Sequence, residues 1–150
     1  MQSATGSKCL SIPDSYLDTY YSKRRPGHIP EVFLKVHRDG RPDVRFKASN
    51  ANGKSVIELN RNIDSTRLHQ ASPTVLQKLS GSSIDPRVSY FSSAFDGTVV
   101  YCYPEIGDCD LNYVNQAGIQ VDMQIERDAL NLFLDRIKES ESVLEELKCT

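Results

Sequence analysis

The sequence predicts an α+β fold: a mainly antiparallel β-sheet built from hairpins, one short inserted helix, and a long C-terminal amphipathic helix. Three observations carry that prediction. Apolar and polar residues alternate on both sides of two Asp-Gly pairs, Asp39-Gly40 and Asp96-Gly97, which is the signature of hairpins. Ser72-Pro73 and Gly81 bracket a short segment with the start and stop signals of a helix. From about Glu126 to Lys148 the apolar side chains recur at helical spacing.

Residues 1–29 read as a flexible or partly helical basic arm, and residues 30–150 as a single domain ending in a helix over 126–148. The first dozen residues are small and polar and are expected to fray. Asp14 or Ser15 can cap a short helix after Pro13, and Pro26 stops it at Arg25. Lys23, Arg24 and Arg25 make the arm basic. In the first hairpin, Val32, Leu34, Val36, Val44, Phe46 and Ala48 share one face, and Phe33, Lys35, His37, Arg45 and Lys47 share the other. The connection from Asp39 to Pro42 puts Gly40 where a positive φ is wanted.

Residues 37–44, HRDGRPDV, approximate the catalytic loop of protein kinases, in which the Asp is the base. Gly40 and Val44 stand where that loop needs its leucine and its metal-binding asparagine. No glycine-rich loop precedes the stretch and no Asp-Phe-Gly follows it, and 150 residues cannot supply a two-lobed body. Asp39 is read as a turn residue, and kinase chemistry is set aside.

Asn52-Gly53 marks the next turn and leads into 55–60, where Ile57 and Leu59 extend the alternation to a third strand of a meander. Val75, Leu76 and Leu79 form the apolar side of the inserted helix over 72–81. Val88 to Phe95 and Thr98 to Tyr103, rich in aromatic and β-branched residues, make the second hairpin. Residues 104–118 read as an acidic loop with a short strand near Leu111 to Val114, and Ile119, Val121 and Met123 mark a last strand. In the terminal helix, Leu130, Phe133, Ile137, Leu144 and Leu147 define a heptad-like seam with Ser140 in its one weak slot.

A chain of 150 residues with 39% hydrophobic and 25% charged residues is most simply one globular domain. The formal net charge of −2 hides an uneven distribution. Residues 1–87 carry 14 Lys and Arg against 8 Asp and Glu, while residues 88–150 carry 4 against 12. No stretch is apolar enough to span a membrane, and the N-terminus lacks the apolar core of a signal peptide. The expectation is a soluble intracellular protein, cytoplasmic or nuclear, with secretion open if Met1 is not the native start. Cys9, Cys102, Cys109 and Cys149 are scattered and no glycosylation sequon accompanies them, so reduced thiols are expected, with a disulfide framework the alternative for a secreted chain.

No cofactor and no metal are expected. His28, His37 and His69 lie apart from one another and from the cysteines. Asp108, Asp110 and Asn112 have the first spacings of a calcium loop, but Tyr113 takes the place of its glycine and Ile119 that of its glutamate. P-loop, Rossmann, zinc-protease and nucleophile-elbow motifs are absent.

The leading functional reading is a non-enzymatic binding protein that works through protein contacts and self-associates through the seam Leu130, Phe133, Ile137, Leu144 and Leu147. The alternative is a single-stranded nucleic-acid binder using Lys23, Arg24, Arg25, Phe33, Lys35, His37, Arg45 and Lys47, cations for phosphates and a ring for base stacking. A thiol or hydrolytic enzyme comes third, should a cysteine and a histidine meet on folding. The run AGIQVDMQIERDALNLFLDRI, a glycine-led strand entering a long terminal helix, is similar to the end of transcriptional coactivators that bind single-stranded DNA as dimers. That resemblance spans about 20 of the 150 residues, and the compact four-strand run of the family is broken here by the helix expected near Val75 and by a longer course.

Overall fold

The computed structural model describes residues 9–18, 31–59, 72–79, 88–94, 97–103 and 107–149. Among them, seven strands form one sheet: β1 (Glu31–Arg38), β2 (Arg41–Asn50), β3 (Gln77–Leu79), β4 (Val88–Ser92), β5 (Thr98–Cys102), β6 (Asp108–Val114) and β7 (Ile119–Glu126). A short helix α1 (Val56–Leu59) follows β2, and a 3-10 segment (Arg127–Leu132) leads from β7 into the long helix α2 (Phe133–Leu147). The spatial order is β1-β2-β7-β6-β5-β4-β3 and every neighbouring pair is antiparallel. The last strand thus joins the first hairpin to the meander that precedes it, giving the α+β architecture that the alternation predicts.

Strand periodicity is clearest in β7, where Ile119, Val121, Met123 and Ile125 are buried and Gln120, Asp122, Gln124 and Glu126 are not. The first hairpin is tighter than the sequence suggests: Arg38 pairs with Arg41, so the turn is Asp39-Gly40 alone, with Gly40 at φ 72°. Asp39 sits at that turn.

Beyond residue 30, four segments differ from expectation. The strand expected at 55–60 is α1, because Ser55 and Glu58 form a capping box: Ser55 Oγ accepts from Glu58 N and Glu58 Oε1 from Ser55 N, each at 3.2 Å. The helix expected at 72–81 is a turn followed by β3, with residues 80–81 outside the described residues. Ser72 spends its capping oxygen on Thr74 N at 3.2 Å, and its carbonyl takes Ser93 N at 3.0 Å and Ser92 Oγ at 2.7 Å, which ties the turn to the end of β4. The acidic loop contains β6, which begins at Asp108 and not near Leu111. The terminal helix begins at Phe133, because Ala129 (φ −110°, ψ 18°) interrupts the helical turns before it.

The main core lies between one sheet face and α2. Leu34, Val36, Phe46, Leu111, Tyr113, Val121 and Ile125 are buried together with Phe133, Ile137, Val143, Leu144 and Leu147, and Leu130 packs at the margin. The seam that the sequence offers to a second copy is filled by the chain's own sheet. Ser140, its weak slot, is matched by a buried polar pair: Tyr113 Oη lies 2.6 Å from Ser140 Oγ, which donates to Ile137 O at 2.8 Å. Beside it, Asn115 Nδ2 donates to Glu141 Oε2 at 3.2 Å. Burial pushes the Glu141 carboxyl above its ordinary value, opposed by hydrogen bonds from Asn115 and Tyr113. Burial, followed by the Glu141 charge, also raises the Tyr113 hydroxyl.

The cysteines are paired, where reduced thiols were expected. Cys102 and Cys109 face each other across β5 and β6, with Cα atoms 4.4 Å apart. Cys9 and Cys149 close a loop with a sequence separation of 140. Backbone bonds reinforce that clasp: Ser11 N donates to Leu147 O at 2.7 Å and Cys149 N to Cys9 O at 3.1 Å, while Leu10 is buried in the core. Within the 1–29 arm, residues 9–18 are therefore fastened to the domain, and the short helix expected after Pro13 is a single 3-10 turn, Asp14–Tyr16. Residues 1–8 and 19–30, including Lys23, Arg24 and Arg25, lie outside the described residues.

Candidate functional site

The second face of the sheet is divided. Over β4, β5 and the end of β6, the side chains of Phe91, Val99, Tyr101 and Val114 are buried together with Ala51 and with Val56 of α1. Gly97 allows that closeness: a Cβ there would meet Val56 Cγ1 at 2.6 Å, and its φ of 117° disfavours any side chain. Over β1, β2, β7 and the start of β6, none of the described residues forms a comparable cover on that face.

The open part contains a break in the sheet. β2 and β7 pair only through Lys47–Asn50 and Ile119–Asp122. Beyond Lys47 and Asp122 the two strands part, and among the described residues no ladder joins 41–46 to 123–126. A cleft of about 620 Å³ lies there, walled by Pro42 to Lys47 of β2 and by Asp122, Met123, Gln124 and Glu126 of β7. Phe33 of β1, Asp108 and Asp110 of β6, and Arg136 and Glu139 of α2 complete it, with Leu34, Val44, Phe46 and Met123 as apolar lining.

The cleft is acidic. Seven carboxylates line it (Asp18, Asp43, Asp108, Asp110, Asp122, Glu126, Glu139) against three cations (Arg45, Lys47, Arg136). Cross-strand register sets Asp108 beside Glu126, Asp110 beside Gln124 and Asn112 beside Asp122. Asn112 Nδ2 donates to Asp122 Oδ1, and Arg136 lies 3.1 Å from Glu126.

The sequence-predicted basic face meets this acid directly. Phe33, Lys35, His37, Arg45 and Lys47 do share one face of the hairpin, and Phe33, Arg45 and Lys47 line the cleft. His37 Nδ1 is 2.9 Å from Asp43 Oδ1 and Lys35 Nζ is 3.9 Å from Asp43 Oδ2. The hydrogen bond from His37 holds the Asp43 carboxyl below its ordinary value. Lys47 Nζ lies 3.5 Å from Glu31 and 3.4 Å from Asp122. Three of the five hairpin residues proposed for phosphate or base contact are thus already neighbours of carboxylates. The sequence presents Asp108 and Asp110 as members of an acidic loop and an incomplete calcium motif, and not as one face of a strand. The signal was present in the alternation of Asp108 and Asp110 with Cys109 and Leu111, which are buried.

Among the described residues, no three His, Cys, Asp or Glu side chains are grouped to hold a metal ion. No described helix is long and apolar enough to cross a membrane.

No protein-family model matches the chain, and no curated protein is significantly similar to it. A solved structure does match: Smlt3025, an immunity protein of the Stenotrophomonas maltophilia type IV secretion system. The TM-score is 0.53 at 13% sequence identity, and the match covers 93% of this chain and 88% of that chain. The likeness is one of fold, and it runs through nearly all of both chains.

Proposed function

We propose that this chain is a protein-binding module of immunity type, which holds a partner protein at the acidic cleft and blocks the partner by occupying a basic part of its surface. The observation that carries this reading is the cleft's charge, seven carboxylates against three cations around the gap between β2 and β7. A concave surface of one sign concentrates field, speeds encounter with an oppositely charged partner and selects against others. The fold shared with an immunity protein of a secretion system supports the same reading. Phosphates would meet the same acid excess, which argues against nucleic acid as the ligand.

The partner contact is assigned to the cleft and not to the seam of α2, since freeing Phe133, Ile137, Leu144 and Leu147 for a second copy would empty the core. Two disulfides support an oxidising compartment, the periplasm or the cell exterior, in place of the intracellular setting read from the N-terminus.

Titrating the protein with the product of the reading frame adjacent to its own, at low and at physiological salt, tests this. A complex is expected that weakens as salt rises and weakens further with Asp108→Lys and Asp110→Lys. No complex, or one indifferent to both changes, overturns the reading.

A further inference from the structure

We infer that the cleft receives its partner as one extended segment carrying Lys or Arg at alternate positions, laid along β7 in the gap where β2 and β7 part. This rests on the acidic-cleft reading above and adds the shape and pattern of what binds.

The first support is the backbone. Residues 123–126 of β7 pair with β6 on one side, and residues 41–46 of β2 pair with β1 on one side. Their other sides face the cleft, and among the described residues no strand pairs with them there. Such an edge carries a row of N–H and C=O groups, which proteins ordinarily cover and which extended peptides use when they add to a sheet. Here two such edges face one another in the middle of a sheet.

The second support is the period of the side chains. Asp122, Gln124 and Glu126 follow one another along one face of β7, and Asp108 and Asp110 do so on the adjacent β6. Alternate residues of a strand are about 7 Å apart, and an extended ligand repeats at the same distance. Cations at alternate ligand positions therefore arrive on the face that carries Asp122 and Glu126, with Asp110 one strand beyond Gln124, whereas consecutive cations point half to that face and half to the other. A helix, about 10 Å across, would reach the carboxylates without reaching either strand edge.

The third is a like-charge pair that the fold retains. Asp108 stands directly opposite Glu126 in the register, an arrangement that costs stability on a sheet unless a cation joins it. Arg136 serves Glu126 from one side, and a ligand cation would serve the pair from the open face. The apolar lining, Phe33, Val44 and Met123, suits the methylene stems of Lys or Arg.

The test uses the oxidised full chain and three fluorescent decapeptides of equal charge, read by anisotropy at low salt. One has Lys at alternate positions between Ser and Thr, one has the same lysines consecutive, and one is the alternating peptide with N-methyl groups along one backbone edge. Alternating Lys is expected to bind about tenfold more tightly than consecutive Lys, as a few added cross-strand charge pairs imply. N-methylation is expected to remove that gain, and Glu126→Gln to reduce it. Equal binding of all three peptides overturns the extended mode and leaves the acidic cleft standing. Failure of every peptide to bind overturns the acidic cleft as well.

Discussion

The two parts of the sheet's second face meet on β6 and finish differently. On β6, Val114 at one end is buried with Val56 of α1, while Asp108 and Asp110 at the other end are exposed. At the covered end a capped helical turn, a glycine without a side chain and four buried strand residues fit one another. At the open end the strands separate and carboxylates line the gap. Any cover over that end would have to desolvate charge, whereas covering the other end gains apolar burial. Among the described residues, cover stops where the carboxylates begin, as the proposed partner surface requires.

The largest effect should come from outside both ends. Cys9→Ser with Cys149→Ser should cost about 5 kcal/mol in denaturant unfolding, because that disulfide closes almost the whole chain, against about 2 kcal/mol for the short loop of Cys102 and Cys109. A smaller loss for the long clasp would mean that the N-terminal segment is held mainly by its hydrogen bonds.

Next comes the covered end. Phe91→Ala should cost about 3 to 5 kcal/mol, as for a buried aromatic in a packed layer. Equal tolerance of Phe91→Ala and of substitutions in the cleft would remove the distinction between the ends.

The polar pair under α2 gives a pH-dependent effect. Glu141 has a folded value raised above its ordinary 4.5, so the folded protein holds the proton more tightly, and stability falls as pH rises from about 4.5 through the folded value and is level above it. Glu141→Gln should therefore melt higher than the parent at neutral pH, with the gap closing below pH 4.5 in a thermal melt series. A gap that persists in acid would assign the effect to packing.

The smallest effect belongs to the open end. Asp108→Asn should change stability by no more than about 0.5 kcal/mol and relieve the like charge opposite Glu126. A loss comparable to that of Phe91→Ala would make the carboxylate structural and contradict its assignment to binding.

Much of the fold was legible because it is written locally. Alternation around Asp39-Gly40, the run from Ile119 to Met123 and the apolar spacing of α2 each specify an element within a few residues. The errors arose where one signal served two structures. Ile57 and Leu59 alternate as in a strand, but Ser55 and Glu58 cap a helix. Ser72 looks like a helix cap, but its groups close a turn and hold Ser92 and Ser93. The clasp of Cys9 to Cys149 was hidden because its partners meet only after the whole sheet has formed. The cleft was hidden for a similar reason: Asp43, Asp108, Asp122 and Glu139 come from four elements, and only the parting of β2 and β7 brings them to one surface.

The most direct test of the acidic cleft is a backbone amide NMR titration of the isotope-labelled protein with the alternating-lysine peptide. The expected result is a set of shifts confined to 41–46, 108–110 and 122–126, with α1 and the buried face of α2 unmoved. Shifts centred on the Asp39-Gly40 turn or on the outer face of α2, with the cleft unchanged, would contradict it.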